Sequence, residues 1–360
     1  MKNWLIFTVF TLLLLSSQAA LCQIDGPIAQ AALQKETLAL LSSSQFMKLE
    51  EYAEKYITNK ERFPDGGWKL YYFFNAFQNP PYETDTDWKK HMDLVEAWKS
   101  AFPSSDAART ALAGAWIGYA WFARGTKYQI KEGGYPLMMN RLAKAAEILQ
   151  KVPDSYIHVL HLKLQLALAL SAPREDFDSL LEKALSIEPS YIAFYADGIN
   201  YYSPRWYGEP GEWARKLEQF DRKAPRKEGV YARVAFGFIG SEWRKFSEGT
   251  INWGTMKKSL NDIAYDSPWI ANMAASYACI AEDYEMVRKL FNKIGTSIYH
   301  PAWQYTNFDK CMEKAGLKTD LGDFEKSIDY QYMQELSKNN QWAKDLLRKW
   351  REYKMVGYTY

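Results

Sequence analysis

From residue 28 onward the apolar positions recur at helical spacing, and the period-two alternation of strands is scarce. Phe46, Leu49, Tyr52, Ala53 and Tyr56 fall on one face of a helix over 45–58. Residues 28–42, rich in Ala and Leu, predict another. Arg62-Phe63-Pro64-Asp65-Gly66-Gly67 reads as a turn, because Pro fixes φ and Gly permits positive φ. A helix over 68–77 follows, closed by Asn79-Pro80-Pro81. Asp85 or Asp87 is the expected cap of the next, which runs through Met92, Val95 and Trp98. Pro103-Ser104-Ser105-Asp106 opens a helix over 107–122, ended by Arg124-Gly125. Its Ala111, Ala115, Trp116, Tyr119 and Ala120 mix small residues, which admit a close neighbour, with large ones that fill the space beyond.

The most regular stretch is 138–202, with four helices broken at Pro153-Asp154-Ser155, Ala172-Pro173-Arg174 and Glu188-Pro189. Leu181, Ala184 and Pro189 resemble the large, small and proline positions that end the second helix of a tetratricopeptide repeat, a unit of about 34 residues. A similar pair spans 268–281 and 284–294, with Asp283 in the turn. The expected fold is therefore all-α, a tetratricopeptide-like helix-turn-helix superhelix (α-α solenoid) over residues 23–323. One helix pair cannot bury its apolar stripe alone; stacked pairs bury a continuous core and curve around a concave face. Residues 324–360 read as a capping helix and tail, with Phe324, Ile328, Leu336, Trp342 and Trp350 on its apolar side.

Residues 1–22 form a separate object. Lys2 precedes an apolar run from Trp4 to Leu15, and Ser16 to Cys22 is mostly small or polar, the pattern of a secretory signal peptide. The run is shorter than the roughly 20 residues that span a bilayer. Cleavage is expected after Cys22, with Ala19 and Ala20 as alternatives. Leu21 stands where a lipoprotein signal has Gly, Ala or Ser, which argues against lipidation. The expected destination is the periplasm or the exterior, with no transmembrane segment after cleavage. Export means an oxidising compartment. Cys279 and Cys311 then form one disulfide, worth roughly 3–4 kcal/mol by loop closure, or remain as two buried thiols.

Charge is balanced, 45 basic against 43 acidic residues, which leaves no net basic face for nucleic acid. No Gly-rich phosphate cradle is present, and Ile239-Gly240-Ser241-Glu242 does not complete a Gly-x-Ser-x-Gly elbow. His158 and His161 share a helix face, but no neighbouring ligands complete a zinc set. Glu83, Asp85 and Asp87 alternate like calcium ligands, yet the Gly and Glu of an EF-hand loop are missing and helix capping explains them better. No catalytic residue, metal or cofactor is expected. Glycan hydrolysis needs two carboxylates about 5 Å or about 6.5–9.5 Å apart. Asp65 beside Trp68, and Glu209 or Glu212 beside Trp206 and Trp213, are nominal candidates, so a secreted all-α glycan- or cell-wall-active enzyme is the alternative.

Aromatics make up 16% of the chain, most of them expected in helix seams. Trp121, Arg124, Arg205, Trp206 and Trp213 are the candidate binding residues, since Arg and Trp most often anchor interfaces. Pro204 stiffens the second group. The competing reading has Trp206 plugging a gap between repeats and Arg205 capping helix carbonyls. The favoured function is a scaffold that holds a protein or peptide partner on the concave face. Four segments carry a family likeness: Arg62-Phe63-Pro64-Asp65-Gly66-Gly67-Trp68-Lys69-Leu70, Tyr119-Ala120-Trp121-Phe122-Ala123-Arg124-Gly125, Ser203-Pro204-Arg205-Trp206-Tyr207-Gly208 with Glu212-Trp213, and Tyr277-Ala278-Cys279-Ile280-Ala281-Glu282-Asp283. Together they resemble the bacterial domain of unknown function 4034 family across roughly residues 40–317, with Tyr207 standing where that family has Gly. The resemblance implies a tetratricopeptide-like helical fold and no particular activity.

Overall fold

The computed structural model describes residues 25–82, 84–125, 130–239, 250–263, 267–295, 298–303 and 306–317, and positions 334, 344 and 348. The signal peptide expected over 1–22, Glu83, the Gly240-Ser241-Glu242 segment and, save those three positions, the expected capping helix and tail lie outside the described residues. Among those described, the chain is all-α. Its helices are α1 (Gly26–Ser42), α2 (Phe46–Thr58), α3 (Lys69–Gln78), α4 (Asp85–Ala101), α5 (Asp106–Arg124), α6 (Gly134–Leu149), α7 (Ile157–Ala169) and α8 (Arg174–Ile187). They continue as α9 (Ile192–Tyr201), α10 (Glu212–Lys223), α11 (Val230–Ile239), α12 (Trp253–Asp262), α13 (Pro268–Ile280), α14 (Tyr284–Ile294), a 3-10 turn over His300–Trp303 and α15 (Phe308–Ala315). Among the described residues, no helix is long and apolar enough to cross a membrane.

Side-chain caps set many of the starts. Ser105, Asn252, Ser267, Asp283 and Asn307 each accept a backbone N–H from the first turn of their helix. At α4 the cap is Thr84, whose hydroxyl accepts from Asp87 N–H; this corrects the expectation of Asp85 or Asp87. The two aspartates sit instead in the first turn, where negative charge suits the helix dipole.

The helices form two layers. α1, α3, α5, α7, α9 and α11 make one row, each packed on the next. The even helices lie against that row: α2 on α1 and α3, α4 on α5, α6 on α5 and α7, α8 on α7 and α9, α10 on α9 and α11. α13 and α14 pair at the far end, and α15 rests on α14. The disulfide Cys279–Cys311 ties α13 to α15, with Cα atoms 5.9 Å apart.

The row also curls back on itself. Asp25 caps α1 and is fully buried. Its carboxylate accepts from Gly26 N–H (2.7 Å), from Ser267 Oγ and from Trp269 N–H (3.1 Å). Ser267 is itself the cap of α13. One carboxylate therefore serves the N-termini of two helices more than two hundred residues apart in the chain, and the start of α1 packs on the Trp269 ring.

Candidate functional site

A cavity of about 670 Å³ lies on the inner side of this curl. It is lined by α1, the turn before α3, and α3, α7, α9, α11 and α13. Ala196 and Gly237 on its wall are exposed, so it communicates with bulk water. The volume falls in the range of small-molecule sites, about 300–1,000 Å³.

Two inner helices carry one charge each, and both charges face the cavity. In α9, Ile192, Ala193, Ala196, Asp197 and Asn200 line it at helical spacing, and Asp197 is the helix's sole charged residue. In α11 the sole charged residue is Arg233. An ionised group on an otherwise apolar inner helix costs solvation free energy, so it must be paired, or serve another purpose.

Asp197 receives little pairing. Its Oδ2 accepts from His161 Nδ1 at 2.6 Å, its one hydrogen-bond partner among the described residues. Gln78 Nε2 donates to Gln165 Oε1 (2.5 Å), and Gln165 Nε2 donates in turn to His161 Nε2 (3.0 Å). With Gln165 Nε2 as donor, His161 Nε2 accepts and the Nδ1 proton faces Asp197. His158 lies 5.0 Å from His161 between ring centroids, and burial pushes its pKa well below the usual value. It hydrogen-bonds Tyr191 through Nδ1, and its Nε2 has no partner. No Lys or Arg pairs with Asp197 among the described residues, and His161 is its one side-chain partner. Burial drives its carboxyl above the ordinary range, with His161 only partly opposing.

The opposite corner is balanced. In the turn before α3, Asp65 Oδ1 accepts from Gly67 N–H (2.8 Å) and Oδ2 from Gln30 Nε2 (2.6 Å). Burial raises the Asp65 pKa even so. Arg233 donates through Nε to the Glu228 carbonyl (2.8 Å) and through Nη1 to the Asp65 carbonyl. Its guanidinium lies against Gly66, whose φ of +82° belongs to the region that favours glycine. Glu228 also pairs with Arg62 at 2.6 Å. Asp65 and Glu228 thus offset Arg62 and Arg233.

Aromatic rings complete the wall. Tyr71 stands 5.4 Å from His161 and 5.1 Å from Tyr72 between centroids, and burial raises its pKa to about 12, so it stays protonated. Trp68 donates Nε1 to the Ser190 carbonyl (3.0 Å) and meets Tyr191 edge-on at 5.1 Å. Trp269 comes from α13.

The residues singled out from sequence gather elsewhere. Trp121 and Trp206 meet at 5.8 Å, with Arg124 over Trp121 (5.7 Å) and exposed Arg205 over Trp206 (5.9 Å). None of the four lines the cavity. Trp213 is only 2% exposed and packs in the core. Of the nominal carboxylates, Asp65 lines the cavity with Trp68, whereas Glu212 forms a fork with Arg174 (2.5 and 3.2 Å) away from it. Asp197, His161, Gln165 and Arg233 were not singled out as binding residues from sequence. A lone charge inside an apolar helix was the available signal. Compared with protein-family profiles, curated proteins and solved structures, the chain matches none.

Proposed function

We propose that this chain is an exported binding protein, a tetratricopeptide-like superhelix that curls around a ligand and holds it in the central cavity. The observation that carries this reading is the cavity itself: about 670 Å³, open to water, with aromatic rings and a carboxylate whose one side-chain partner is an imidazole. Stacked helix pairs create a concave face, and contact between α1 and α13 narrows that face to a pocket. A small molecule, or the end of a peptide, fits such a volume better than an extended protein surface does. The resemblance to the domain of unknown function 4034 family implies a helical-repeat fold and adds no activity.

The test is a thermal-shift and tryptophan-fluorescence screen of the chain lacking residues 1–22 against amines, saccharides, amino acids and short peptides. A hit whose shift disappears in Tyr71→Ala, with helix content intact, supports the reading. Failure of every compound, together with capture of an envelope protein that Arg205→Ala and Trp206→Ala abolish, would move the ligand to the outer Trp121–Trp206 cluster.

One observation favours a second reading, glycan or cell-wall hydrolysis: Asp65 and Asp197, both with raised pKa values, line the same aromatic cavity. Release of reducing ends from polysaccharide or peptidoglycan, lost in Asp65→Asn, supports it; complete inactivity removes it.

A further inference from the structure

We propose that the ligand carries an ammonium group, which ion-pairs with Asp197 and lies against the ring of Tyr71. The proposal rests on the cavity being a binding site. It turns on charge. The wall side chains that can carry charge near neutral pH are Asp65, His161, Asp197 and Arg233, since burial raises the pKa of Tyr71, Tyr72 and Tyr191 and keeps them protonated. Asp65 and Arg233 belong to a neutral set with Arg62 and Glu228, and the donors of Arg233 point at backbone carbonyls. His161 presents its Nδ1 to Asp197 and accepts the Gln165 amide at Nε2, so both of its ring nitrogens are engaged. Asp197 therefore remains as the wall carboxylate with no arginine or lysine beside it, its one partner being the His161 imidazole.

The surroundings suit a cation. Ala193, one turn before Asp197, and Ala196, its neighbour in sequence, are small residues on the same cavity wall and leave space near the carboxylate. Tyr71 lies beside His161, so its ring borders the same spot. An aromatic face and a partly desolvated carboxylate together recognise alkylammonium ions. An anion would meet Asp197 on this wall, while Arg233 already donates to two backbone carbonyls. The cavity is much larger than an ammonium head alone, so the group is one end of a larger molecule, with the apolar remainder against Trp269, Ile270 and Met273 on α13.

The closing experiment compares shape with charge. Calorimetric titration of the chain lacking residues 1–22 would use choline, its neutral isostere 3,3-dimethylbutanol, 1,5-diaminopentane, N-acetylglucosamine and glutarate. The expected result is binding of choline or the diamine at least tenfold tighter than the isostere, with the preference lost in Asp197→Asn. Equal binding of choline and its isostere overturns the ammonium assignment and leaves the binding reading standing. So does binding of the saccharide or dicarboxylate alone. Heat from none of the probes, with the protein folded, counts against both. A cation preference that survives Asp197→Asn overturns the assignment of the carboxylate. The Asn variant retains the acceptor for His161, so misfolding does not confuse the outcome; its melting temperature and the His161 imidazole signals in NMR check this directly.

Discussion

Helices α5 and α9 occupy the same inner row and have similarly apolar sequences, yet they are used in opposite ways. α5 is enclosed by α3, α4, α6 and α7. It meets them with Ala107, Ala108, Ala111, Ala113, Gly114, Ala115, Gly118 and Ala120, all buried. Its two faces feed two separate cores: Ala111 and Ala115 the main one, Ala113, Ile117 and Ala120 a second built with α6 and α7. α9 is covered by α8 and α10 on one side and left open to the cavity on the other. On the open side stand Ala193, Ala196, Asp197 and Asn200. Small residues in α5 let backbones touch, while in α9 they leave room for something that is not part of the chain. The same letter, alanine, marks close packing in one helix and vacancy in the other, and the accompanying charge tells them apart.

The sharpest way to break this contrast is at Gly118. A methyl group there would collide with the Gln78 carbonyl oxygen and crowd the Trp88 ring, and the backbone of α3 cannot move aside cheaply. Gly118→Ala should cost about 3 kcal/mol, read as a drop in denaturant midpoint with unchanged slope. Gly114, one turn earlier, is the control. A methyl there lies 3.6 Å from Gln78 Cβ, an ordinary contact, so Gly114→Ala should gain up to about 1 kcal/mol from helix propensity. Equal losses at both sites would refute the close-approach account.

A smaller effect belongs to the closure of the curl. Asp25→Ala leaves Gly26 N–H, Trp269 N–H and the Ser267 hydroxyl without their carboxylate. Hydrogen bonds to a charged group are worth about 1.5–3 kcal/mol, so a loss of about 2 kcal/mol is expected. Ligand affinity should fall as well, because α1 and α13 both line the cavity. Hydrogen exchange should speed up at the start of α1 and α13 and leave α5 protected. Uniform acceleration along the whole chain would mean that Asp25 supports the fold rather than the closure.

Much of the fold could be read locally. Helix spans such as 28–42, 45–58 and 284–294 follow from apolar periodicity and caps, both short-range signals. Asp283 in its turn is the observed cap of α14. Four helices, α10, α11, α12 and α15, were not individually foreseen; α11 is a short apolar run that periodicity cannot distinguish from a strand. The cavity was hidden for a different reason. Gln30, Asp65, His161, Asp197, Arg233 and Trp269 come from distant parts of the chain, and only the packing of the inner row brings them together. Trp121, Arg124, Arg205 and Trp206 attracted notice because Trp and Arg are conspicuous in a sequence, yet they meet away from the cavity. The glutamines that orient His161, Gln78 and Gln165, carry no sequence signature, since amides are common on any helix.

The mildest effect discriminates best between a packing role and a binding role for α9. Burial raises the Asp197 pKa, and His161 only partly lowers it. A raised carboxyl pKa means that the folded state holds the proton more tightly than the unfolded chain, so the ionised form costs the fold stability. That cost is full above the folded-state pKa and fades as the pH falls towards the unfolded value of about 3.9. Asp197→Asn removes the charge and keeps an acceptor for His161. It should therefore raise the melting temperature at neutral pH, within the about 0.5–2 kcal/mol that relief at a functional site commonly brings, and the gain should shrink on acidification and vanish near pH 4. The carboxylates of Glu61, Asp85, Asp154, Glu188, Glu212 and Asp283, all with lowered pKa values, make both proteins less stable in acid, but they cancel in the difference between the two. A residue that stabilises α9 by packing would lose stability on the same substitution at every pH. A variant that is more stable and no longer binds ammonium would identify Asp197 as a charge held in place for its ligand.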